Sequence, residues 1–200
     1  MAGDRPQDTP ASRMEALQGF LHEREDRLGL PDDPKELHRQ LQHHLVLASD
    51  EGRLATKQHD VLQHVRRVGS PFRAMPECVG IVGGEKDLKR TGEKPHFLRP
   101  DGGWFFFSLT VRVRRGKPLE LVAYNFELCF PSSAVEKSGL PRFVRFDLNQ
   151  PNHPNEARGL RCHFHPGHDD LSAPAPLMSP LDLLDLFIDK LLVPEHPRKA

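Results

Sequence analysis

Apolar residues recur at helical spacing through the first third of the chain, and from about residue 76 this periodicity gives way to alternation typical of strands. Met14, Leu17, Phe20, Leu21 and Leu28 form one stripe behind a cap at Ser12, ended by Gly29 and Pro31. Asp33-Pro34 supplies a cap and a first-turn proline for a second helix, with Leu37, Leu41, Leu45 and Ala48 inward. A third helix is expected to run to about Val68, burying Leu54, Val61, Leu62, Val65 and Val68.

Trp104 to Val113, rich in aromatic and β-branched residues, reads as a strand. The turn Arg114-Arg115-Gly116-Lys117-Pro118 returns it to a partner at Leu119–Phe130 in an antiparallel hairpin. Arg142–Leu148 and Leu160–Pro166 are further strands, with shorter ones expected at Val79–Val82 and His96–Arg99. Ser179-Pro180-Leu181-Asp182 starts a closing helix striped by Leu181, Leu184, Phe187, Ile188 and Leu191. The expected fold is α+β: a helical N-terminal third, a mainly antiparallel β-sheet and a C-terminal helix packed on the sheet. Residues 1–11 read as a disordered tail, 12–70 as a helical element, 76–192 as the sheet domain with its helix, and 193–200 as a second tail.

Lysine and arginine balance aspartate and glutamate at 28 each, which argues against bulk electrostatic capture of nucleic acid. The distribution is uneven. Residues 71–168 hold 15 basic and 10 acidic side chains, so the basic excess lies in the segment that also carries most of the candidate chemistry. Cys78, Cys129 and Cys162 lack the spacing of zinc ribbons or redox pairs and read as buried free thiols. No stretch is apolar for long enough to span a membrane, and the N-terminus does not read as a signal peptide, so the expected address is the cytoplasm, with no membrane partner.

The densest chemistry is Arg161-Cys-His163-Phe-His165-Pro-Gly-His168-Asp169-Asp170. On a strand, His163 and His165 share one face, and successive residues on that face lie about 6.6–7 Å apart at Cα, so two imidazoles can converge on one ion or anion. His163, His165 and His168 are the candidate metal ligands; the reading favours a metal-free cluster, with Zn²⁺, Mn²⁺ or Ni²⁺ as the ions that would suit it. His168 is the weaker ligand, because Pro166-Gly167 can swing it outward. Arg145 and Asp147 share a face of the preceding strand. Beside the histidines they would act as a phosphate clamp and as the orienter of a histidine, so His163, His165, Asp147 and Arg145 are the candidate catalytic set. A set of hydrogen-bonded structural histidines and a plain Arg–Asp pair are the alternatives. Arg112, Arg114, Arg115 and Lys117 at the hairpin tip, with Trp104 and its neighbouring phenylalanines, are a candidate nucleic-acid surface. Asp182, Asp185 and Asp189 form an acidic row on the last helix, either solvated or offered to a basic partner.

Over residues 120–192 the order Arg145-Phe-Asp147, His153-Pro, His163-Phe-His165, Pro174, Pro176, Ser179-Pro180 and a leucine-rich helix resembles uncharacterised bacterial domains from phage-defence neighbourhoods. It is similar, more distantly, to toxins of a toxin–antitoxin family. The closely spaced His-His-x-His run of those toxins is broken here into His163-Phe-His165-Pro-Gly-His168. The resemblance implies an antiparallel sheet with a flanking helix and a role in bacterial conflict. The resulting expectation is an interaction or effector subunit of a defence or toxin–antitoxin system, bound to another protein of the same operon and in contact with nucleic acid. The alternative is a small nuclease or phosphotransfer-type enzyme using His163 and His165 with Arg145 and Asp147.

Overall fold

The computed structural model describes residues 28–193. Along the chain come α1 (Pro34–Asp50), α2 (Gln58–His64), β1 (Val65–Val68), β2 (Cys78–Gly83), β3 (Phe97–Leu98), β4 (Trp104–Arg112) and β5 (Glu120–Cys129). There follow α3 (Ser132–Ser138), β6 (Phe143–Leu148), β7 (Cys162–His165), β8 (Ala173–Pro174) and α4 (Pro180–Asp185), which widens into a π-type turn over Leu186–Lys190. The strands form one antiparallel sheet in the order β1-β2-β4-β5-β6-β7-β8, with β3 pairing to β4 beyond the end of β2. The fold is the expected α+β arrangement. The expected helix over 12–28 lies outside the described residues except for its last position.

β4 explains why the sheet has two covered regions. Its bulky side chains alternate between faces, and a strand loaded on both sides is stable only where both are shielded. On the inner face Phe105, Phe107, Leu109 and Val111 meet Phe126 and Leu128 of β5, the Leu37/Leu41/Leu45 stripe of α1, and Leu183, Leu184, Phe187 and Ile188 of α4 in one cluster. On the outer face Trp104, Phe106, Cys129 and Phe143 make a smaller second cluster. Beyond it the outer face is polar, and the candidate site lies there.

The third helix is shorter than its pattern suggests. It stops at His64, and Val65–Val68 is an edge strand paired with Gly80–Gly83. The β-branched Val65 and Val68 fit a pleated surface, and Gly80 makes room: a Cβ there would lie 2.6 Å from Val68 Cγ2. Leu62 and Val68, expected inside, are 53% and 41% exposed. The helical segment therefore contributes a strand to the sheet and its leucines to the shared core.

α4 is held by a buried cation. Arg99 is 1% exposed and donates to the carbonyls of Phe187 (2.6 Å) and Leu191 (2.8 Å), satisfying acceptors left open at the helix end, while Asp101 neutralises it. Asp185 and Asp189 pair with His44 (2.8 Å) and Arg53 (2.9 Å), so two of the three acidic positions tie α4 to the helical segment. Leu183, outside the expected stripe, is fully buried, whereas Leu181 is half-buried.

Because α1, α4 and the sheet share one core, unfolding is expected to be a single transition in urea. Leu41→Ala removes a side chain with no solvent exposure and is expected to cost about 2–5 kcal/mol. A separate early transition for the helical segment, with the sheet signal unmoved, would contradict this.

Candidate metal centre

The site is assembled by strand register. On the outer face Asn125 of β5, Asp147 of β6 and His163 of β7 stand in one cross-strand row. Glu127, Arg145 and His165 form the adjacent row. The two-residue period that sends Val144, Phe146 and Phe164 towards the hydrophobic side sends Arg145, Asp147, His163 and His165 to the polar one. One potential ligand atom from each of Asp147, His163 and His165 lies within 4.8 Å of the other two. The histidine rings meet edge to face at 4.9 Å. The expected convergence of these side chains is present.

The hydrogen bonds define which atoms converge. His165 Nδ1 lies 3.3 Å from the carbonyl oxygen of His168, which can only accept, so Nδ1 carries the proton. His165 Nε2 faces Asp147 Oδ2 at 3.3 Å, and His163 Nε2 lies 3.7 Å from the same oxygen. With a neutral His165 ring, its Nε2 lone pair therefore faces the carboxylate, and a proton or a metal ion between them is what relieves that repulsion. His163 is 4% exposed, and its Nδ1 makes no hydrogen bond of normal geometry, although the Leu160 backbone lies near enough to favour its charged form. Burial pushes His163 below the usual imidazole range and outweighs the pull of Asp147, which keeps it neutral as a metal ligand must be.

Around these atoms runs a network of charges. Burial alone would raise Asp147, but the adjacent His165 imidazole, the Arg145 charge, and hydrogen bonds from Asn125 (2.6 Å) and Arg145 (2.8 Å) hold it below the ordinary carboxylate range. Arg145 also pairs with Asp169 (2.5 Å) and Glu127 (3.5 Å), and Arg90 with Glu127 (2.7 Å) and Asp169 (2.8 Å). The hydrogen bonds from Arg90 are the main reason Asp169 falls to about 2. Arg90 also covers the Phe143 ring at 3.6 Å. Two guanidiniums against three carboxylates leave one net negative charge, which favours a cation. Arg145 is thus committed to three carboxylates and is not a free phosphate clamp.

His168 is outside the group. Gly167, at φ 93°, turns the chain away, and the His168 ring is 69% exposed and accepts from the Asp170 amide. Asp147 takes the third place instead. The basic hairpin tip does not form the expected stacking surface. Trp104 and Arg112 occupy opposite ends of β4, Phe105 and Phe107 are core, and Trp104 packs against His96 at 4.9 Å. Arg112 is paired with Glu77 and Glu120, and Arg114 approaches Glu120 at 3.8 Å; Arg115 and Lys117 are solvated.

A groove of about 640 Å³ opens beside the ligand group and shares Asp147 with it. Its floor is formed by small residues of the central strands, among them Gly80, Ser108, Thr110 and Ala123, and it is flanked by Phe72 and by Asn149, Gln150 and His153 of the β6–β7 loop. Glu127, Asn125 and Arg90 were not singled out from the sequence. Glu127 and Asn125 are isolated polar positions in a strand whose neighbours are apolar, a signal that locates them on the outer face once the strand is accepted. Arg90 sits in an irregular loop and gives no such signal.

The depressed His163 makes stability acid-sensitive. The unfolded chain takes up this proton near pH 6.5 and the native state only at lower pH, so the stability the neutral ring preserves is complete above about 6.5 and is lost as pH falls below it. Asp147 and Asp169, held low, add a further loss towards pH 2. His163→Gln is expected to flatten the fall in thermal midpoint between pH 7 and 5, and an unchanged slope would contradict the assignment. Comparison with protein-family models, curated proteins and solved structures finds no match to this chain.

Proposed function

We propose that the protein is a divalent-metal hydrolase whose ion is held by His163, His165 and Asp147. The observation that carries this reading is the meeting of two imidazole Nε2 atoms and one carboxylate oxygen. Imidazole and carboxylate suit Zn²⁺, Mn²⁺ or Ni²⁺. Three protein ligands leave a coordination position open, the pattern of catalytic rather than structural sites, and an ion there lowers the pKa of bound water to about 7. The groove supports the same reading, since Asp147 belongs both to the ligand group and to the groove lining. Arg145, Asn125 and the His168 carbonyl act as positioning groups that fix the carboxylate and one imidazole.

The bacterial defence or toxin–antitoxin setting implied by the resemblance accommodates such an enzyme as an effector, with a partner protein from the same operon. Among the described residues, the leucine stripe of α1 lies in the core and Asp185 and Asp189 are paired within the chain. These features therefore support a catalytic role more than docking.

Titration of protein carrying no polyhistidine tag with Zn²⁺ or Mn²⁺ is expected to give one equivalent bound and a raised thermal midpoint. His165→Ala should abolish this binding. Asn125→Ala, which releases Asp147, should weaken it about 10-fold. Affinity should fall as the solution is acidified, because protons compete with the ion for the ligand atoms. Absence of saturable binding by the wild-type protein would overturn the proposal.

A further inference from the structure

The groove beside the ligand group carries chemistry that the metal reading leaves unused. Its volume of about 640 Å³ lies within the range of small-molecule sites, about 300–1,000 Å³. Its charged lining is Lys86, Arg145 and Asp147. Arg145 and Asp147 are bonded to one another, which leaves the exposed Lys86 ammonium as the groove's available charge.

His153 adds a donor. The Asn155 backbone N–H donates to His153 Nδ1 at 3.2 Å, so Nδ1 is the acceptor and the ring's own N–H is on Nε2. The same loop presents the Gln150 amide, while Ser108 and Thr110 offer hydroxyls from the floor. The groove thus lines a half-buried aromatic, Phe72, with amide, hydroxyl and imidazole donors and an ammonium. A doubly charged ion in the ligand group would turn the local charge from one negative to one positive, and Lys86 adds another.

We infer that this groove takes a phosphodiester of nucleotide size, with Lys86 and His153 contacting its phosphate oxygens. The inference rests on the metal reading and names its substrate class. In the reaction, the oxygen of one water forms a bond to phosphorus and the bond from phosphorus to one ester oxygen breaks. The departing oxygen takes up a proton equivalent to the one the water released, so one diester and one water yield a monoester and an alcohol. His153 Nε2–H stabilises the phosphate charge that builds up on the way. Lys86 contributes attraction to the anion from the exposed rim, where salt screens it.

The test uses the full chain loaded with one equivalent of Zn²⁺ or Mn²⁺, and bis(4-nitrophenyl) phosphate as the probe. Turnover is expected, with neutral 4-nitrophenyl acetate hydrolysed no faster than by a His165→Ala control. His153→Gln should lower kcat about 100-fold, the usual cost of one donor to transition-state charge, while metal stoichiometry is kept. Lys86→Met, at an exposed position, should raise KM a few-fold and weaken its salt dependence. One equivalent of metal with no diester turnover, or turnover unaffected by both substitutions, would overturn the substrate assignment and leave the metal centre standing. Failure to bind metal would overturn both.

Discussion

One carboxylate oxygen of Asp147 and the Nε2 atoms of His163 and His165 are packed within 4.8 Å of one another, and holding these three polar groups together in a buried setting is the constraint around which the outer face of the sheet is arranged. Each partner is fixed from behind. Asn125 and Arg145 hold the carboxylate, and the His168 carbonyl holds the His165 proton on the far nitrogen. Such second partners keep an imidazole and a carboxylate aimed at an ion, and they stop the side chains from turning away from one another.

The surrounding charges follow from the same arrangement. Glu127, 2% exposed, is a carboxylate in the sheet that has to be neutralised, and Arg90 and Arg145 both reach it. Asp169 then bridges the outer sides of the same two guanidiniums, joining the loop after β7 to the loop before β3. These links bring two strands and two loops to one place. They rest on a sheet whose opposite face is closed by α1 and α4, so the rigidity of the polar face derives from the apolar one.

Much of this was legible in the sequence because a strand's period is two. That period is enough to put Arg145 with Asp147 and His163 with His165, and the two strands are neighbours in both sequence and space. The helical caps at Asp33 and Ser179 were equally readable, since each side chain accepts from a first-turn backbone amide as such residues commonly do. What escaped depends on longer-range geometry. Register decides that Glu127 stands opposite Arg145, and no local pattern in β5 states it. The strand at Val65–Val68 was hidden because its valines also continue the helical stripe before it, and only pairing with β2 separates the two readings. Arg90 comes from a loop organised by Asp87, whose carboxylate accepts four backbone amides, from Lys89 to Gly92. His168 had the spacing of a ligand, but the left-handed turn at Gly167 carries it into solvent.

The central claim is that a metal ion occupies the space between Asp147, His163 and His165. Anomalous diffraction recorded on either side of the metal absorption edge, from crystals grown with one equivalent of Zn²⁺, tests it most directly. The account predicts a single strong peak about 2.0–2.2 Å from His163 Nε2, His165 Nε2 and an Asp147 carboxylate oxygen. A map with no peak there, and with His165 and Asp147 in direct contact as a proton-sharing pair, would contradict it.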